Sequence, residues 1–164
     1  MNRVKKRLLF LATGEFAALC TFILLWLSLN LTSNLGMASR LAFSYLIFIL
    51  LQGSLYWFYR YLLMIKKSRS GLKTVGFLRF LRGFNILVLI AINVSIPIVK
   101  SGNKDLIIAL AAVLFGIIEY INYYWYRLSY GKSGFNIRML LNTRLQESSI
   151  NKLINRCPPP PGRQ

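Results

Sequence analysis

Histidine is absent from this chain, and acidic residues number only 4 in 164. Without histidine, the commonest general base and the commonest metal ligand are missing. The 2 cysteines do not make up for it. Cys20 falls in the outer half of a long apolar run and Cys157 in the C-terminal tail. At such different levels they form neither a redox pair within one subunit nor a thiolate metal site. No glycine-rich phosphate loop and no aspartate-rich Mg²⁺ motif occurs. Proline is almost confined to the tail, with Pro97 as the exception. No catalytic residue, metal ligand or cofactor site is therefore nominated.

Apolar residues and positive charge are abundant instead. The chain is 55% hydrophobic, with a mean hydropathy of +0.50, and carries 21 Lys and Arg for a net charge of +17. A globule this small cannot bury so much apolar surface. The conflict is resolved by segregation, because the apolar residues stand in long runs and the charges between them. That pattern excludes a soluble enzyme, a disulfide scaffold and a disordered basic tail. Attraction of basic side chains to anionic lipid accounts for the charge, so no nucleic-acid partner is expected.

Four runs reach the roughly 20 residues that a helix needs to cross a bilayer: 8–31, 41–65, 75–99 and 106–126. A helix satisfies its own backbone hydrogen bonds in lipid. A closed barrel would instead show short segments of alternating polarity, which are missing here. The links are short and polar, with Asn34 and Gly36 in the first, KKSRSGLKT in the second and KSGNKD in the third. The fold expected is all-α, an integral membrane four-helix bundle over residues 1–130. The basic opening MNRVKKR resembles the start of a signal peptide. Its apolar run is too long and lacks a small-residue cleavage site, so the first span is expected to be retained.

Orientation follows from the basic residues. Eighteen of the 21 lie at the N-terminus, around the second link or after the fourth span, leaving Arg40, Lys100 and Lys104 on the other side. Both termini are then cytoplasmic (N-in/C-in) in a plasma membrane of the bacterial inner-membrane type. Residues 131–156 read as a cytoplasmic amphipathic surface helix. Ile137, Leu141 and Leu145 form one stripe, resumed by Ile150, Leu153 and Ile154 after a polar break at Ser148 and Ser149. Anionic lipid headgroups are its expected partner. Residues 157–164 (CPPPPGRQ) read as a disordered, proline-rich extended arm.

Charged side chains inside spans are rare and face the bundle interior. Glu15, Gln52, Arg82 and Glu119 each stand eight or nine residues from a basic residue at the cytoplasmic end, about 12 Å along a helix. One polar layer is expected there, with Arg82 neutralising Glu15 and Glu119, and with Arg79, Asn85, Asn122 and Tyr123 in support. In span three Arg79, Arg82, Asn93 and Pro97 are expected on one face, beside Asn85. In span four Ala109, Ala112, Gly116, Glu119 and Tyr123 form a stripe suited to close helix packing. The aromatic clusters at Tyr56–Tyr61 and Tyr120–Tyr126 read as interfacial belts.

The function expected is non-enzymatic: an accessory, interaction or protective membrane subunit working through helix–helix or lipid contacts, with another membrane protein or a second copy as partner. A small proton- or ion-coupled transporter using Glu15 and Glu119 is the alternative. An intramembrane lipid-modifying enzyme is the third class.

Overall fold

The computed structural model describes residues 3–67, 71–126 and 146–156. Among the described residues it is helical, with four long helices and one short one: α1 (Arg3–Ser33), α2 (Met37–Ile65), α3 (Leu72–Val99), α4 (Asn103–Tyr124) and α5 (Ser149–Arg156). The four long helices are each long and apolar enough to cross a membrane. Among the described residues the sole β pairing is an isolated bridge between Tyr126 and Glu147.

The short links reverse the chain at each end. Asn34 and Lys67 adopt positive φ just beyond α1 and α2, the left-handed conformation that commonly closes a helix. Span one is longer than its apolar run because the basic residues before it continue the helix. Span four begins three residues before its expected start and ends two residues before its expected end. It stops at Tyr124, where the chain turns and the Trp125 carbonyl accepts the Ser148 N–H at 3.0 Å. Pro97 neither breaks nor ends α3, which runs on to Val99. The consequence is local, since proline has no N–H to give to the Asn93 carbonyl one turn back.

Among the long helices, α2 is central. It packs along α1, α3 and α4, whereas α1 packs closely along α2 alone. Half of the apolar stretch of α2 is buried, against 11% for α1 and 17% for α3. The α2–α4 seam is closely packed: Tyr45 lies against Gly116 and Tyr123 against Gly53, in a core that also holds Leu46, Ile49, Leu50, Ala109, Ala112 and Val113. Small residues on α4 let the bulky α2 side chains in.

Opposite the end that carries the N-terminus, Asp105 in the first turn of α4 fastens the start of α2 and the link between α3 and α4. One of its oxygens accepts from the Ser39 N–H (3.0 Å) and the Ser39 hydroxyl, and the other from the Ser101 N–H (3.0 Å). A carboxylate also suits the positive end of the α4 dipole.

Residues 127–145 and 157–164 lie outside the described residues, and with them the first half of the expected surface helix and the proline arm. What is described of the C-terminal segment begins with residues 146–148, which are not helical. The polar break at Ser148 is a helix start: its hydroxyl oxygen accepts the Asn151 N–H at 3.0 Å, a cap for α5. Ile150 and Ile154 are buried among α3 and α4, and Lys152 and Asn155 are exposed.

Candidate functional site

At the end of the bundle where α1 and α3 begin and α2 and α4 finish, the nominated polar side chains fall into three neighbouring groups. The first joins α1 to α4. The Tyr123 hydroxyl donates to the Glu15 carboxylate across the helix pair. Glu119, one turn before Tyr123, lies within reach of the same hydroxyl and close enough to Glu15 for the two acids to interact. The Asn122 amide donates to Glu119 at 3.3 Å.

The second group ties α2, α3 and α4 together. Gln52 and Asn85 pair amide to amide, at 2.8 Å and 3.3 Å, and the Tyr124 hydroxyl donates to the same Gln52 oxygen at 2.7 Å. Asn85 also donates to the Leu81 carbonyl at 2.8 Å. Both Asn85 and Tyr124 are fully buried. Such a network is well satisfied and fixes the register of three helices at once.

The third group holds α5. The Arg82 guanidinium lies 3.8 Å from the centre of the Trp125 ring and donates to the Asn151 side chain at 3.3 Å. Its backbone carbonyl accepts the Tyr120 hydroxyl at 3.3 Å. Arg79 donates to the Ile154 carbonyl at 3.4 Å, in the last turn of α5, where the helix dipole favours a cation.

Arg82 is thus engaged with Trp125 and Asn151 and does not neutralise Glu15 and Glu119 as expected. For Glu119 the reason is directional: side chains lean toward the N-terminus of their own helix, so Arg82 on α3 reaches toward the basic end and Glu119 on antiparallel α4 leans away from it. For Glu15 it is placement, since α1 does not pack against α3. Two further expectations need correction. Tyr56, Tyr120, Tyr123 and Tyr124 are core residues, at 5%, 6%, 4% and 1% exposure; of the α4 cluster, Trp125 and Tyr126 lie at the surface. The tyrosines sit on the same stripe as the small residues of α4 and therefore turn inward. On α3 the buried face is Val75, Leu78, Asn85, Ile92 and Ile96, so Asn93 and Pro97 point outward.

Sequence reasoning took Tyr124 and Trp125 for part of an interfacial belt and Ser148 for a polar break, and did not single out Asn151. The available signals were the Tyr120–Tyr124 spacing of one turn and the serine three residues before Asn151, which is cap spacing.

A cavity of about 30 Å³ opens where α1, α2, α4 and the start of α5 meet, walled by Glu15, Tyr56, Trp57, Asn122, Tyr123 and Ser149 among others. Among the described residues no group of acids and cysteines is arranged to hold a metal ion. No family model, curated protein or solved structure matches the chain.

Proposed function

We propose that this is a non-enzymatic, multi-pass inner-membrane protein, with both termini cytoplasmic, that serves as an accessory subunit by receiving a transmembrane helix of another membrane protein against α3. Asn93 carries this reading. It lies on the exposed face of α3 among Ile86, Ile90 and Val94, and its amide donates to the Leu89 carbonyl of its own helix at 2.8 Å. Its side-chain oxygen has no partner among the described residues, and Pro97 leaves its carbonyl without the usual donor. In lipid, two such acceptors side by side favour a donor from a neighbouring helix.

Photocrosslinkers at Ile90 and Val94 in native membranes test the proposal. The expected result is a protein adduct that fades when Asn93→Leu is added. Adducts to lipid alone, indifferent to that substitution, would refute it. A crosslinked dimer would make the partner a second copy.

A second reading, a small ion-coupled transporter, draws support from the Tyr123 hydroxyl set between Glu15 and Glu119 with no basic side chain bonded to either acid among the described residues. Reconstituted flux in wild type that disappears in the Glu15→Gln, Glu119→Gln double variant is its expected signature.

A further inference from the structure

The Glu15 cavity has features that the helix-receiving role on α3 does not use. Its walls come from α1 (Leu11, Glu15), α2 (Tyr56, Trp57), α4 (Asn122, Tyr123) and residues 148–150. Among the described residues no Lys or Arg lines it, in a chain of net charge +17. The guanidinium of Arg82 is held by Trp125 and Asn151, and Arg60, one turn beyond Tyr56 on α2, is close enough for its charge to act on the Tyr56 hydroxyl without lining the cavity.

The Tyr56 hydroxyl is a second, independent sign. Tyr56 is 95% buried by its 5% exposure, it faces Ser149 across the cavity wall, and its oxygen makes no hydrogen bond of ordinary geometry among the described residues. A buried hydroxyl left in that state costs free energy, and a ligand that donates to its oxygen recovers part of it. The Tyr56 and Trp57 rings meet edge to face with centroids 5.4 Å apart, placing aromatic surface beside the carboxylate.

We propose that this cavity binds the ammonium group of a primary amine, supplied either by a free amine or by an aminophospholipid headgroup. An ammonium carries three donors and no acceptor. Here it meets the Glu15 carboxylate and the Tyr56 hydroxyl oxygen, with aromatic faces that attract cations. Size sets the class. About 30 Å³ admits a group the size of one or two waters, which accommodates –NH₃⁺ and excludes a trimethylammonium. The cavity stands toward the end of the bundle that carries the basic segments, about 12 Å along α1 from them, within reach of an amine entering from that side.

Calorimetric titration of the full-length protein in anionic phosphatidylglycerol nanodiscs tests this. Methylammonium should bind saturably, while tetramethylammonium and sodium at equal ionic strength should not. Glu15→Gln should weaken methylammonium binding by about tenfold or more. Tyr56→Phe preserves ring volume and should weaken it about fivefold, so the test stands even if Glu15→Gln does not fold. Phosphatidylethanolamine in the nanodisc separates the sources: competition with methylammonium assigns the site to the lipid headgroup, and no competition assigns it to a free amine. No saturable heat, an equal response to tetramethylammonium or sodium, or affinity unchanged in a folded Glu15→Gln or Tyr56→Phe variant would overturn the proposal.

Discussion

Single atoms decide the α2–α4 seam. A Cβ at Gly53 would collide with the Tyr123 ring, and one at Gly116 would come within 2.8 Å of Tyr45. Gly53→Ala should therefore lower stability by about 1–3 kcal/mol through overpacking. It should also pull Tyr123 off Glu15, seen as an earlier melt in detergent. Gly14→Ala is the control, since nothing stands within 4 Å of a Cβ there, and its melt should not fall. Asn85 is the polar counterpart. Asn85→Leu deprives Gln52 of its amide partner between three helices, and a loss of about 1–3 kcal/mol is expected. Chemical denaturation that leaves the midpoint unchanged would show that the amide pair contributes nothing. These residues were legible to different degrees. Gln52 and Asn85 stand out as polar side chains in apolar runs, but their mutual pairing does not, because spacing within each helix says nothing of rotation between helices.

At the scale of elements, α5 is the most separable part. It is eight residues long, too short to be stable alone, and is held by a cap, two isoleucines and two arginines from α3. Ser148→Ala removes the cap, at a cost of about 1 kcal/mol, and Ile150→Asp puts a charge in the docking face. Together they should raise hydrogen exchange across 149–156 while the amides of α2 and α4 stay protected. Equal loss of protection in α2 would mean that α5 and the bundle open as one unit. The sequence showed the apolar residues of α5 but not their partner. A stripe of isoleucine and leucine fits a lipid surface and a protein groove alike, and only the arrival of Arg79 and Arg82 from 70 or so residues earlier in the chain distinguishes them.

For the whole molecule, the charge distribution makes a topological prediction. Cysteines placed at Lys100 and Lys66, in a background lacking Cys20 and Cys157, should react differently with a membrane-impermeant thiol reagent on intact cells. The first should label directly and the second only after permeabilisation, as the positive-inside rule requires. The reverse pattern would invert the assignment. The number of long helices, their alternation and their approximate limits were all legible in the sequence, because each depends on one local quantity: the length of an apolar run set against the length of a span. The inward face of α4 was legible too, since small and polar residues recur there at helical spacing. Rotation, partner choice and cavity were decided by tertiary structure alone. Whether Arg82 meets Glu119 or Asn151, and whether Tyr123 anchors at the surface or closes the core, depends on how antiparallel helices aim side chains in opposite directions, a relation between segments that no single segment encodes.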